Sequence, residues 1–136
     1  MPTDFCPVVY QVEEQRTDAP FALIIEDDPD AGIIFELTLE MAKFTPVVVE
    51  SGKAALEWLA SMMPGIIILD MHLPDVPGME VLRQMRADPR LAAVPVIVAT
   101  AHTEMAECVK QEADLVLTKP VRYDVLWCKV AELTRL

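Results

Sequence analysis

Five polar side chains of the kinds used in metal-dependent chemistry lie at or just beyond the ends of apolar runs: Glu26, Asp27, Asp70, Thr100 and Lys119. Carboxylates bind hard divalent cations, and a carboxylate can also attack phosphorus while a cation and an ammonium group neutralise the phosphoryl oxygens. An aspartate needs no base to activate it, because it is ionised at neutral pH. These residue types therefore indicate phosphoryl chemistry, provided that the fold brings them together.

Five predominantly apolar runs alternate with five segments of helical character, and they cover residues 21–25, 46–49, 66–69, 95–99 and 114–117. Uniformly apolar runs are typical of parallel strands that are buried on both faces. The alternation predicts an α/β fold of the flavodoxin-like (βα)5 type, a three-layer sandwich around a five-stranded parallel sheet of order 2-1-3-4-5. This order makes the first and third strands neighbours, so their polar ends should converge at the carboxyl edge.

The helices carry recognisable caps and apolar stripes. Asp28 is predicted to cap the first helix, with Pro29 in its first turn, and Ser51 is predicted to cap the second. Apolar residues that recur one helical turn apart should face the sheet. The predicted buried stripes are Ile33, Leu37 and Met41; Ala55, Leu59 and Met62; Val81, Leu82 and Met85; and Leu126, Val130 and Leu133.

Length and composition limit the classes of function. The 136 residues suit one domain, and the net charge of −11 argues against a surface that binds nucleic acid. Apolar runs are too short to cross a bilayer and no signal peptide is recognisable, so we expect a cytoplasmic protein. Residues 1–20 hold three prolines and should form a flexible N-terminal arm before the domain at 21–136. The three cysteines show no metal-ligand spacing, so reduced thiols are expected.

The carboxylates should need a cation if they converge. Two of them about 4 Å apart repel by roughly 4 kcal/mol at an effective dielectric constant near 20. Mg²⁺ suits such a cluster, since it prefers oxygen ligands and keeps open positions for water or phosphate. Each residue also has a structural explanation: Lys119 could form a surface salt bridge, and the acidic run 26–28 could complement a helix dipole.

Four segments together resemble the receiver domains of two-component response regulators: residues 23–28, 68–78, 96–101 and 117–120. The resemblance implies that Asp70 accepts a phosphoryl group from a histidine of a sensor kinase or phosphotransfer protein. It implies a Mg²⁺ site in which Asp27 and Asp70 bind the ion directly and Glu26 helps through water. The backbone carbonyl of His72 would be a further ligand. Lys119 would contact the phosphoryl group next to a cis peptide to Pro120, and Thr100 would move toward it.

The resemblance also implies a mode of action. The protein is expected to be a stand-alone receiver, not an enzyme beyond its own phosphorylation and dephosphorylation. It would bind a downstream protein through the face of the fourth helix, fifth strand and last helix, including Met105, Val109 and Trp127. We expect no direct contact with nucleic acid or membrane, and a homodimer is left open. Val116 departs from the family, in which many members have an aromatic residue three positions before the lysine; coupling from Thr100 to this face is therefore in question.

Two other functional classes were weighed. A receiver-like binding module that is never phosphorylated would be expected to lack an acidic or lysine position, and none is missing here. An aspartate-nucleophile phosphatase resembles this set, but its D-x-D motif follows the first strand, whereas Asp70 follows the third. His72 and His102 flank the expected pocket. A transition-metal site is one interpretation of this pair, and an effect on dephosphorylation or simple solvation is the other.

Overall fold

The computed structural model describes residues 19–134, apart from the side chains of Thr103 and Met105. Strands and helices alternate: β1 (Phe21–Ile25), α1 (Pro29–Met41), β2 (Thr45–Val49), α2 (Gly52–Leu59), β3 (Ile66–Asp70), α3 (Gly78–Ala87), β4 (Val96–Thr100), α4 (Thr103–Val109), β5 (Leu115–Thr118) and α5 (Tyr123–Thr134). The predicted arm lies almost wholly outside the described residues. The division at residue 21 therefore stays a prediction.

All five strands are parallel and lie in the order β2-β1-β3-β4-β5, which confirms the predicted topology. The register pairs Ile25 with Leu69 and Asp70 with Ala99. Thr100 pairs with Thr118, directly before Lys119. The last residues of β1, β3, β4 and β5 therefore form one row, and the polar residues that end or follow these strands lie at a common edge.

Two apolar cores separate the sheet from its helices. One contains Leu23, Ile25, Ile67 and Leu69 and lies under α2 and α3; the other contains the alternate strand residues and lies under α1 and α5. The central strands β1, β3 and β4 are covered by helices on both faces. Burial of each of their large apolar side chains stabilises the folded state by about 1.5–3 kcal/mol. The stripes predicted for α3 and α5 are confirmed, and those of α2 are buried through Leu59. Met62 lies beyond the end of α2 and is half-buried.

The predicted buried face of α1 is wrong. Ile33, Leu37 and Met41 are 54%, 55% and 60% exposed, whereas Phe35 and Leu39 are buried against the sheet. The helix is apolar on both faces, so periodicity alone could not select between two stripes. The aromatic ring of Phe35 fills more of the core. We call the exposed outer face of this helix the α1 ridge, made of Ile33, Ile34, Leu37 and Met41.

The predicted caps are present. Asp28 accepts a hydrogen bond from the Asp30 N–H at 3.2 Å, and the Ser51 hydroxyl oxygen accepts one from the Ala54 N–H at 3.1 Å. The surface assignment of Val109 is wrong, because this side chain is fully buried. Val109 is the last residue of α4, and its side chain faces the core.

The amino ends of β4 and β5 are joined by one guanidinium group. Arg86, in the last turn of α3, donates to the Glu112 carbonyl at 2.7 Å and to two carbonyls in the segment that precedes β4 at 2.9 Å. It also donates to Asp114 Oδ2 at 2.9 Å, and the same oxygen accepts from the Val96 N–H at 2.8 Å. The edge opposite the polar row is therefore cross-linked through side chains.

Within the described part of the chain, no helix combines the length and apolar character needed to cross a bilayer. Cys108 and Cys128 lie on α4 and α5 as exposed free thiols. Cys6 lies outside the described residues, so the expectation for all three cysteines stays a prediction.

Candidate functional site

Three carboxylates meet where β1 and β3 end. Glu26, Asp27 and Asp70 each present an oxygen, and these oxygens lie within 4.8 Å of one another. Glu26 and Asp70 are buried, whereas Asp27 is exposed. The cluster follows from the sheet order, since β1 and β3 are hydrogen-bonded neighbours. It is therefore a partly buried acidic pocket that opens to solvent on the side of Asp27.

Lys119 extends into this pocket from the end of β5. Its ammonium nitrogen lies 2.8 Å from Glu26 Oε1 and 3.6 Å from Asp70 Oδ2. The Lys119 N–H donates to the Thr100 carbonyl at 2.8 Å, which holds the residue at the end of the β4–β5 ladder. The peptide bond to Pro120 is cis, as the resemblance implied. One lysine is thus within reach of two of the three carboxylates.

Burial and charge set the protonation of Glu26. Burial raises its pKa, the neighbouring Asp70 raises it further, and the attraction of Lys119 opposes both; the resulting pKa is about 7. For Lys119, burial lowers the pKa, but contact with Glu26 and the charges of Glu26 and Asp70 outweigh this, so that its pKa lies above the usual value. The charge of Glu26 therefore depends on pH near neutrality.

The pocket fits a hard divalent cation. Glu26 Oε1 is buried and, although it contacts the lysine, it has no hydrogen bond of good geometry. The available metal ligands are carboxylate oxygens, which Mg²⁺ prefers. The side of the pocket that is open to solvent leaves room for water or a phosphoryl oxygen as a further ligand. In residues 19–134 this is the one group of three or more acidic, histidine or cysteine side chains close enough to share an ion.

Thr100 is fully buried at the end of β4, next to the strand that carries Asp70. Its hydroxyl oxygen accepts a hydrogen bond from the His102 N–H at 3.1 Å, and Asp70 Oδ1 accepts one from the His72 N–H at the same distance. Each loop is thereby folded back onto the polar residue that precedes it. Val116 is half-buried and packs against the core on the α2–α3 side.

Gly78 has a role in positioning Asp70 that sequence reasoning missed. A Cβ atom on this residue would lie 2.7 Å from the Asp70 carbonyl oxygen and 2.7 Å from the Met71 Cα atom. The first residue of α3 therefore packs backbone to backbone behind the strand end. The sequence shows only a Pro-Gly pair at a helix start, and the contact appears only when the loop is folded.

Asp75 is a second residue that was missed. Its carboxylate accepts hydrogen bonds from the Gly52 and Lys53 N–H groups, at 2.8 and 2.9 Å, at the start of α2. Backbone donors, that of Lys53 first, lower the pKa of Asp75 below its usual value. The loop after β3 is thus fastened to a neighbouring helix. The only available signal was an unassigned aspartate in the segment 68–78.

Comparison with known proteins identifies the family. The sequence profile of the response regulator receiver domain matches residues 22–131. The chain is 32% identical over 119 residues to the DNA-binding dual master transcriptional regulator RpaA of Synechocystis, a match covering 85% of this chain and 49% of that protein. It is 31% identical to the two-component response regulator ORR5 of rice, covering 79% and 84%. The chain therefore belongs to the response regulator receiver domain family.

A solved structure supports the same fold. The receiver domain of sensor histidine kinase PA1611 from Pseudomonas aeruginosa superposes with a TM-score of 0.77 at 23% identity, covering 85% of this chain and 98% of that one. Its crystal structure has a magnesium ion coordinated in the active-site cleft. At this identity the likeness establishes the fold alone. Receiver domains are signalling domains of two-component systems, and the cluster of Glu26, Asp27 and Asp70 is consistent with the phosphoacceptor site of such a domain.

The expectation of no nucleic-acid partner is not supported by these relatives. RpaA is described as DNA-binding, and the chain spans about half of its length. ORR5, of which the chain covers most, is described only as a two-component response regulator. The net charge of −11 argues against DNA contact by these 136 residues themselves and carries no conclusion about a longer protein.

Proposed function

We propose that Asp70 accepts a phosphoryl group from a phosphohistidine of a sensor kinase or phosphotransfer protein, in a Mg²⁺-dependent reaction, and that this event switches a protein-binding surface. The observation that carries the proposal is the position of Asp70. Its buried carboxylate lies at a strand end, within 4.8 Å of two other carboxylates and 3.6 Å from an ammonium group. All four side chains that the chemistry requires are present at one edge of the sheet.

The transfer needs no general base on this chain. An oxygen of the Asp70 carboxylate attacks phosphorus, the P–N bond to the donor histidine breaks, and the imidazole leaves with the electron pair. Mg²⁺, held by Glu26, Asp27, Asp70 and the His72 carbonyl, would supply positive charge to the phosphoryl oxygens. Hydrolysis of the aspartyl phosphate would return the protein to its starting state, so the chain catalyses only its own modification.

Lys119 and Thr100 would bind the phosphoryl group on Asp70. The Lys119 ammonium contacts Glu26 Oε1 at 2.8 Å. After phosphorylation it would contact a phosphoryl oxygen on Asp70, which is more exposed than the Glu26 carboxylate. The Thr100 hydroxyl would turn from the His102 N–H to the phosphoryl group and draw the loop after β4 with it. Such a local charge event biases a loop between two arrangements.

The α1 ridge supplies a docking surface for the donor protein. A cavity of about 400 Å³ lies beside the site and is lined by residues that include Asp28, Ile34 and Lys119. A second cavity of about 480 Å³, lined by Leu37, Met41 and Tyr123 among others, extends it along α1. The donor histidine must approach Asp70 from solvent, and this apolar surface, continuous with the pocket, fits the apolar face of the protein that carries it.

The output surface is proposed on the face of α4, β5 and α5. Val125 is exposed on the side of α5 away from Tyr123 and leaves apolar area there for a downstream protein, whereas Trp127, which is 42% exposed, lies one helical turn after Tyr123 and so on the α1 side. Position 116 carries valine in place of an aromatic residue. We therefore propose that movement of Thr100 is only weakly coupled to this surface. A cytoplasmic location also belongs to it, since the free thiols of Cys108 and Cys128 suit a reducing compartment.

The test is intact-mass measurement after incubation with acetyl phosphate or phosphoramidate, with and without Mg²⁺, on wild type and Asp70→Asn. One phosphoryl group should appear on wild type only with Mg²⁺, and none on the variant. Binding of beryllium fluoride, which mimics the phosphoryl group, separates a poor donor from a site that cannot be modified. Failure of both would overturn the proposal and favour a phosphorylation-independent binding module; release of phosphate from added monoesters would favour a phosphatase.

A further inference from the structure

Two exposed histidines meet at the mouth of the acidic pocket. The ring centroids of His72 and His102 lie 4.3 Å apart, with their planes inclined by 56°. They come from different loops, after β3 and after β4. The backbone N–H of His72 donates to Asp70, and that of His102 donates to Thr100. The two backbones are therefore fixed, while the imidazole rings have no part in the phosphoryl chemistry proposed above.

The separation of the rings is close to that of two imidazoles on one metal ion. With a metal–nitrogen distance of about 2.0–2.1 Å and angles between square-planar and tetrahedral, the ring centroids would lie roughly 4.5–5 Å apart. Rotation of the two exposed side chains by a small angle covers the difference. The acidic cluster beneath them raises the local concentration of cations.

The donor set selects the kind of metal. Imidazole nitrogen favours Cu²⁺, Ni²⁺ and Zn²⁺, whereas Mg²⁺ prefers the carboxylate oxygens below. In the part of the chain that the structure describes, the carboxylate cluster is the one group of three or more candidate ligands, so the histidine pair has no third side chain. Water would complete the coordination. Such a site is open and exchangeable, unlike a closed structural zinc site.

We propose that His72 and His102 form a two-imidazole site for a borderline divalent metal such as Zn²⁺ or Cu²⁺, adjacent to the carboxylate cluster and separate from it. A metal held there links the loop that follows Asp70 to the loop that follows Thr100. Because Thr100 must move for the switch to operate, the linked state would resist phosphorylation. This inhibitory consequence rests on the proposed function, whereas the binding itself does not.

Calorimetric titration of Zn²⁺ tests the binding directly. It is done in excess Mg²⁺ at a fixed pH, because metal binding to imidazole competes with protons. Because thiolates also bind zinc, the protein carries Cys6→Ser, Cys108→Ser and Cys128→Ser. One ion per chain should bind, and His72→Asn and His102→Asn should each weaken binding tenfold or more, whereas Asp27→Asn, which removes only part of the long-range attraction, should weaken it far less. Equal affinity in the histidine variants, or loss of binding in Asp27→Asn alone, would overturn the site.

Two further measurements fix the ligands and the consequence. The Cu²⁺ electron paramagnetic resonance spectrum should show two equatorial nitrogen ligands that His102→Asn reduces to one; a spectrum with oxygen ligands only would contradict the site. Zn²⁺ should slow modification of Asp70 by acetyl phosphate in wild type but not in His102→Asn. Equal rates would remove the inhibitory consequence. Zinc binding in a protein that is never phosphorylated would reject the proposed function and leave the metal site standing.

Discussion

The ammonium of Lys119 lies closer to Glu26 than to Asp70, at 2.8 Å against 3.6 Å. The lysine is therefore held by a neighbour of the proposed acceptor, with the acceptor itself as its second partner. A phosphoryl group on Asp70 would compete with Glu26 for this charge. The strength of the Lys119–Glu26 pair is thus one determinant of how readily the pocket rearranges.

The contribution of Glu26 to the stability of the metal-free protein should fall as pH rises from about 4.5 to about 7. The folded state raises the pKa of Glu26 from 4.5 to about 7, so it binds this proton more tightly than the unfolded chain does. The resulting stabilisation is complete below the unfolded pKa and is lost as pH rises through the folded one. Urea unfolding in EDTA should show a loss of about 1–3 kcal/mol relative to Glu26→Gln.

This comparison isolates one group. Asp75, whose folded pKa is lowered, acts in the opposite direction, because its stabilisation is lost as pH falls through its folded pKa. Its effect is present in both proteins and cancels in the difference between them. A difference that stays constant between pH 4.5 and 7 would contradict the raised pKa of Glu26.

Mg²⁺ should stabilise wild type against unfolding and should do so far less in Asp27→Asn. A ligand that binds only the folded state adds about 2.7 kcal/mol at one hundred times its dissociation constant. Asp28→Asn is the matched control, since it removes one charge at the next residue, and asparagine caps a helix as well as aspartate does. Thermal melts with and without Mg²⁺ make the comparison. Equal responses of the two variants would indicate general charge screening in place of a specific site.

Gly78→Ala should destabilise the protein by about 1–3 kcal/mol and impair phosphorylation, because a Cβ atom there would lie 2.7 Å from the Asp70 carbonyl oxygen. The same substitution at Gly32 is the control. In that helical position the nearest atom to a new Cβ is Val48 Cγ1 at 3.8 Å, so alanine should be neutral or stabilise by up to about 1 kcal/mol. Denaturant midpoints of the two variants measure the loss of stability at each position. Similar losses of stability at Gly78 and Gly32 would argue against the close approach of Gly78 to the Asp70 carbonyl.

The orientation of α1 is tested by two leucines of the same helix. Leu39→Ala should cost about 2–5 kcal/mol, since this side chain is fully buried. Leu37→Ala should change stability by less than about 0.5 kcal/mol, because the side chain is more than half exposed. Urea unfolding measures both. The reverse ranking would restore the face predicted from the sequence.

Docking of the donor on the α1 ridge predicts a selective loss of transfer. Leu37→Gln should slow transfer from a phosphorylated donor protein by about tenfold, which corresponds to roughly 1.4 kcal/mol, and leave modification by acetyl phosphate unchanged. Met63→Gln is the control, since Met63 is equally exposed but follows α2, at the opposite end of the sheet from the site. Equal transfer rates in the two variants would place the donor elsewhere.

The sheet could be predicted because buried parallel strands consist of mostly apolar residues, which are visible in the sequence. The strand order then determines that Asp70 and Lys119 lie at the same edge of the sheet. The face of α1 could not, because two apolar stripes compete and only packing selects Phe35 over Ile33. Gly78 and Asp75 were missed for another reason. Their roles are contacts between loops and depend on backbone approach, which leaves no periodic signal.

The Arg86 cross-link makes the domain mechanically asymmetric. One guanidinium and the Asp114 carboxylate fasten β4 and β5 at their amino ends, while the His102 N–H holds the loop after β4 through one hydrogen bond to the Thr100 hydroxyl oxygen. The amino ends of β4 and β5 are therefore more firmly fixed to each other than the loop at the carboxyl end of β4 is to the sheet. If Asp70 is modified as proposed, we expect the accompanying displacement in the loop between β4 and α4 and not at the fastened amino ends of β4 and β5.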